Sequence, residues 1–201
     1  AGLAVRELAQ SGITMRFDVM NPRAVEYART HLPELVQPFV QDAKELIADF
    51  VSRSLNGEMT PTAAAKDIRD LIGLDPRRVK AADTFWESLV EEGVDDDTIS
   101  RRVGRYMDAL LKQRAEVIAR TETARAAVKG ERLTWDEAAH LGLYRAADYE
   151  RVWMVTDDER LCDECEPRDG MTAAMDEEFP DGDPPLHPNC RCTVNRVRKE
   201  G

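Results

Sequence analysis

All four cysteines of this 201-residue chain fall between positions 162 and 192, with one of its three histidines among them. Disulfide scaffolds spread cysteines through a small fold, so clustering beside a histidine in an otherwise cysteine-free chain favours a metal. Cys162-Asp-Glu-Cys165 has the two-residue gap that lets both thiolates of one turn reach a single ion. His187-Pro-Asn-Cys190-Arg-Cys192 supplies the other half after a loop of residues 166–186. Thiolate and imidazole are ligands that zinc prefers, and a closed four-coordinate shell is typical of structural sites. Five candidates compete for four places: Cys162, Cys165 and His187 are favoured, with Cys190 ahead of Cys192 as the fourth. An all-cysteine site with His187 behind it, disulfides, and free thiols are the alternatives.

A catalytic metal fits less well. Such a site keeps an open position and a carboxylate base close by. His31, His140 and His187 are the only histidines, and none pair at helical spacing. The zinc-deaminase order, His-x-Glu ahead of Cys-x-x-Cys, is reversed here, and Asn189 stands where the Glu belongs. The acids of 157–166 read as a solvated face.

Upstream the chain reads as helices punctuated by caps. Residues 1–20 carry no long period and read as a tail or short helix. Asn21-Pro22 is a start signal. Leu32, Leu35, Val36, Phe39, Val40, Ala43, Leu46, Ile47, Phe50 and Val51 follow the spacing of one buried helix face. Pro33 and Pro38 interrupt its first part, so the continuous piece is expected from about Pro38 to Leu55, ended by Asn56-Gly57. Thr60-Pro61 opens a helix closed by Gly73. Asp75-Pro76 opens another, closed by Gly93, with Val79, Phe85, Trp86 and Leu89 expected to face inward. Asp95-Asp96-Asp97 places negative charge at the start of the longest helix, expected to run towards Gly130. A short helix should follow from a capping box at Thr134 and Glu137 to Gly142. Arg151-Val-Trp-Met-Val-Thr156 reads as a strand, with Thr193–Val197 as a closing strand paired to it.

Charge is uneven. Residues 131–201 hold 9 Lys/Arg against 18 Asp/Glu, a balance of −9, out of −11 for the chain. An acidic surface repels phosphate backbones, which argues against a zinc-ribbon reader of nucleic acid. Residues 101–130 are the exception, with 8 basic and 3 acidic residues. They read first as a solvated or internally paired helix face, and second as a strip able to touch DNA weakly. No stretch approaches the ~18 uninterrupted apolar residues of a membrane span. The missing initiator Met reads as processing or trimming.

Ile118-Ala-Arg-Thr-Glu-Thr123, Trp153, Asp158-x-Arg160-x-Cys162-x-x-Cys165, Asp169-Gly170 and Pro185-Leu-His-Pro-Asn-Cys-Arg-Cys192 form a set of strings in chain order. Together they resemble the phage Mu F-like family of minor head, or head-morphogenesis, proteins of tailed phages. Gly57 with Pro61, Ile72-Gly73-Leu74 and Arg114-Ala115 are similar to the family's helical lead-in, extending the likeness over roughly 22–197. The charged Lys129-Gly130-Glu131-Arg132 departs from it where small residues are expected. The resemblance implies a virion component inside the head near the portal, made in the host cytoplasm. It implies the portal and other head or scaffold proteins as partners, and no catalytic activity.

These readings give a mainly α chain: a multi-helix N-terminal domain over 21–130, then a small zinc-stabilised α+β module over 131–201. Arg120 and Glu122 are two residues apart on a helix and cannot simply pair with each other. They are expected to clamp the module, Arg120 towards Asp158 and Glu122 towards Arg160 or loop amides; ordinary surface charge is the plainer reading. The function expected is head morphogenesis through protein–protein interaction, without enzymatic activity. A metal-dependent hydrolase or toxin-like effector is the rival.

Overall fold

The computed structural model of the chain describes residues 22–30 and 41–199. Among the described residues there are five α-helices: α1 (Pro22–Thr30), α2 (Gln41–Leu55), α3 (Pro61–Leu71), α4 (Pro76–Glu91) and α5 (Asp96–His140). Strands β1 (Tyr149–Met154), β2 (Thr172–Ala174) and β3 (Thr193–Arg198) form one antiparallel sheet in the order β2-β1-β3. The expectations for the tail at 1–20, for Asn21 and for 31–40 lie outside the described residues.

Side-chain caps set the helix starts. Thr60 accepts from the Ala63 N–H at 3.1 Å, Asp75 from the Arg78 N–H at 3.0 Å, and Asp95 from the Thr98 N–H at 3.0 Å. Each satisfies one of the backbone donors a helix start leaves open, and Pro61 and Pro76 fill positions where a missing N–H costs nothing. At the far end of α5, Gly142 has φ 69° and the Leu143 N–H reaches back to the Ala138 carbonyl at 2.9 Å. That is the left-handed stop glycine tolerates.

The helix expected to end near Gly130 does not end there. α5 runs unbroken for 45 residues, about 68 Å at helical rise. Thr134 does not cap a new helix; its hydroxyl donates to the Gly130 carbonyl one turn back, at 2.8 Å. The reason is tertiary. Val128, Trp135 and Ala138 are buried on this stretch, and packing outweighs the roughly 1 kcal/mol that a mid-helix glycine costs.

The long helix therefore serves three cores. Ala115, Ile118, Ala119 and Ala126 pack with Val25, Ile47, Val51, Ile68 and Ile72 of α1–α3 and the turn after them. Trp135 and Ala138 pack with Tyr144, Tyr149 and Met175. Val128 packs with Trp153, Phe179, Val194 and three of the cysteines. Within α4, Leu89 is buried, but Val79 and Trp86 are not, at 44% and 49% exposure. The inward face assigned to them belongs instead to Ala82, Leu89 and Phe85, which stacks on Tyr106 of α5 at 4.9 Å. No helix among the described residues is long and apolar enough to cross a membrane.

Candidate metal centre

Two turns and the sheet bring the donors together. The Cys165 and Glu166 N–H groups both donate to the Cys162 carbonyl at 3.0 Å, folding Cys162–Cys165 into a knuckle. The Cys190 N–H donates to the His187 carbonyl at 3.1 Å and makes the second. Strand β1 leads into the first knuckle and β3 begins directly after Cys192, so the β1–β3 pairing sets one knuckle opposite the other.

His187 Nε2 lies 3.3 Å from the Cys162 sulfur and 3.1 Å from that of Cys165. The Cys165 and Cys190 sulfurs are 3.8 Å apart. The donors form two triads, Cys162–Cys165–His187 and Cys165–Cys190–Cys192, with Cys165 common to both. His187 Nδ1 sits 2.9 Å from the Pro188 carbonyl. A proton on Nδ1, donated to that carbonyl, leaves the Nε2 lone pair facing the sulfurs. His187 thus lies directly against the sulfurs of Cys162 and Cys165. All four cysteines are free of disulfides. The cluster can hold a metal ion, and the open space beside it is about 20 Å³, room for a water-sized occupant and not for an organic substrate.

Electrostatics favours a cation here. Burial pushes the Cys165 thiol well above its ordinary value. Burial also raises Cys192, against the opposing pull of the Trp153 indole N–H. The Cys165 amide draws the Cys162 thiol down. Buried thiols crowded this closely resist ionising together unless positive charge joins them, and a coordinated metal supplies it.

Residues 82–195 match the family model described as "Phage Mu protein F like protein". The chain belongs to that family. Searches of curated proteins and of solved structures returned no match. Membership ties this Mu F-like chain, at family level, to phage head morphogenesis, to the virion and to other phage head proteins. The matched stretch takes in most of α4, all of α5 and every metal donor, while α1–α3 lie outside it. The likeness read over 22–197 is therefore narrower at its N-terminal end.

What fastens the donor loop of this Mu F-like chain to α5 differs from the clamp expected. Arg120 is exposed, and Asp158 pairs with Arg191, whose guanidinium holds its carboxyl far below the usual range. Glu122 is buried and bonds Arg125 at 2.9 Å; Arg160 turns to Asp158 instead, donating its backbone N–H at 2.9 Å. The residue between the two candidates makes the link. Buried Thr121 accepts from the Asn189 N–H at 3.0 Å, and Asn189 takes φ 62°, a conformation asparagine tolerates, to aim it.

A second fastening was not read from the sequence at all. The Asp183 side chain is fully buried and meets Arg151 of β1, Arg132 of α5 at 3.2 Å and Lys129 of α5 at 3.6 Å. Burial works against its charge, but Arg151, Lys129 and Arg132 outweigh burial and hold the carboxyl below its ordinary value. Arg151 is 1% exposed, stacks on Phe179 and also donates to the Glu177 carbonyl. Beside it, buried Arg196 of β3 pairs with Glu131 of α5 at 2.8 Å. The signal available was Lys129-Gly130-Glu131-Arg132, the string that departs from the family pattern.

Proposed function

We propose that this chain is a minor, portal-associated head protein whose C-terminal module is fastened by one structural zinc, and that it works by protein–protein contact without catalysis. The observation that carries the zinc is the spacing of the donors. With sulfur about 2.3 Å from zinc, a tetrahedral shell sets sulfurs about 3.8 Å apart, and Cys165 and Cys190 are 3.8 Å apart. His187 Nε2, at 3.3 and 3.1 Å from two of the sulfurs, lies slightly inside the about 3.5 Å that such a shell sets. Cys165, common to both triads, is the ligand the site cannot do without.

No carboxylate joins the donor triads among the described residues, and the open space is small, which favours a structural ion over a hydrolytic one. The basic stretch 101–130 supports DNA contact only in part. Arg114 is buried against the Gly73 carbonyl and Asp75, and Arg125 and Lys129 are engaged as above, leaving Arg101, Arg102, Arg105, Lys112 and Arg120 exposed. The helical half, near neutral in charge, is the part assigned to docking on the portal and scaffold; the module at −9 is the part that keeps off the genome.

Elemental analysis of natively purified protein should find one zinc per chain; metal-free protein with its thiols oxidised in pairs would defeat the zinc reading. Co-expression with the cognate portal protein tests the docking. The full chain should co-purify with portal, and the Cys165→Ser chain should still do so. Loss of portal with that substitution would move the interface to the module.

A further inference from the structure

We propose that α4 is a self-association surface, pairing antiparallel with α4 of a second copy of this chain about a two-fold axis near Thr84. The inference stands independently of the metal and portal readings.

The outer stripe of α4 is apolar and uncovered. Val79, Trp86 and Val90 are 44%, 49% and 46% exposed. Their spacing of seven and four, with Asp83 between, puts all of them on one side of the helix. The opposite interior side is already used, by Ala82, Leu89 and Phe85 against α5.

The charges flanking the stripe are arranged against the helix that carries them. Arg77 and Lys80 are exposed cations of the first turns, Lys80 being the one beside the stripe, and Asp83, Glu87 and Glu91 form a row at four-residue spacing towards the C-terminus. Like charges at that spacing destabilise a helix, and its dipole favours acids at the start and bases at the end. Apart from its cap Asp75, α4 has no acid at its start, and it has no base in its last turn. None of Lys80, Asp83, Glu87 and Glu91 has an ion-pair partner among the described residues. The arrangement is unfavourable in one copy and becomes complementary in two.

An antiparallel two-fold pairing supplies the missing partners from the same surface. Centred between Thr84 and Phe85, it sets Val79 opposite Val90 and Trp86 opposite Asp83, so that no carboxylate faces itself. Lys80 then falls between Glu87 and Glu91 of the second copy. Lys80, Glu87 and Glu91 all lie on the same side of the apolar stripe, and an antiparallel two-fold brings like flank to like flank. Opposed helix dipoles add to the match. One helix is a small interface, below the ~800 Å² a side of stable complexes, so the pairing is a weak, concentration-dependent one.

Sedimentation of the full chain over a wide concentration range tests this, with circular dichroism confirming that each variant is folded. Wild type should pass from monomer to dimer, and Trp86→Ser should weaken the dimer about thirtyfold, as loss of a central aromatic anchor does. Lys80→Glu alone, and Glu87→Lys with Glu91→Lys alone, should each stay monomeric, because each places like charges across the axis. Mixed, the two variants should form a heterodimer. A wild type that stays monomeric at every concentration overturns the proposal. So does a dimer indifferent to Trp86→Ser, or a mixture of charge variants that fails to associate.

Discussion

Around residues 115–126, α5 is gripped by Val25, Ile47, Val51, Ile68 and Ile72, side chains that carry no charge and need only be brought together. Around 128–138 the same helix is gripped by buried charge, aromatic rings and the rim of a thiol cluster: Asp183 with Arg151 and Arg132, Glu131 with Arg196, Trp135 with Tyr144 and Tyr149. The first grip is non-directional and tolerates small shifts, since apolar burial depends on area. The second is directional. A buried carboxylate is stable only with its guanidinium in place, and removing one partner costs more than the pair contributed. Long loops with little aliphatic content need such contacts, because residues 157–192 cannot build a core of their own.

Metal removal should separate the two grips most sharply. Structural zinc contributes on the order of 10 kcal/mol of apparent binding energy in small modules. Chelation should therefore raise hydrogen exchange across 157–192 while α2, α3 and the first part of α5 keep their protection. Exchange rising equally in both regions would mean that one cooperative unit spans the chain and the comparison fails. Next in size is Asp183→Asn, which leaves Arg151 buried without its carboxylate and should cost about 3–5 kcal/mol, read as earlier proteolysis of the module. Ile68→Ala is the counterpart in the apolar grip, about 2–5 kcal/mol, and should lower the melting of the helices while zinc stays bound.

The apolar grip was largely legible in the sequence and the charged one was not. Helix starts at Pro61, Pro76 and Asp96 follow from local rules, because Thr60, Asp75 and Asp95 bond amides three residues on. The β1–β3 pairing and the clustering of Cys162, Cys165, His187, Cys190 and Cys192 were readable for a related reason: alternation and ligand spacing are written within short stretches. Asp183 was invisible because its partners lie 32, 51 and 54 positions away, and nothing local distinguishes it from its exposed neighbour Asp181. Gly130 misled for the same reason, since its local tendency to break a helix was overridden by Val128 and Trp135 packing on the sheet. Trp86 misled in the other direction, as an apolar side chain at helical spacing that the fold leaves outside.

Acid should act more strongly on the charged grip, whose Asp183 side chain is fully buried, than on the helical one, where Asp75 is the part-exposed counterpart. Asp183 has a folded pKa below its ordinary value, so its contribution is complete above the unfolded pKa of about 3.9 and is lost as pH falls through the folded one. Protease sensitivity of the module should rise in that window before the helices unfold. Acid also protonates metal donors, so the comparison is with Asp183→Asn, whose module should be loose already and show a smaller change with pH. An equal change in both proteins would assign the acid effect to the donors alone.

The smallest effects should distinguish three consecutive positions on α5. Thr121 is 1% exposed and its hydroxyl is the acceptor for the Asn189 N–H; Thr121→Val keeps the shape and strands that amide beside the donor turn. A fully buried donor left unsatisfied costs about 1–3 kcal/mol and this part-buried one less, so zinc release should quicken modestly while the helices melt as before. Arg120, one position earlier, is exposed, and Arg120→Ala should fall within about 0.5 kcal/mol of wild type, as surface changes away from buried networks do. Glu122 is buried with Arg125, and Glu122→Gln should disturb the helical half rather than the module. Zinc-release rates and melting curves of the three variants give a pattern in which only the middle position reaches the donor loop. If Arg120→Ala quickens zinc release as much as Thr121→Val, the module is held through the surface charge of α5, and the buried hydroxyl is incidental.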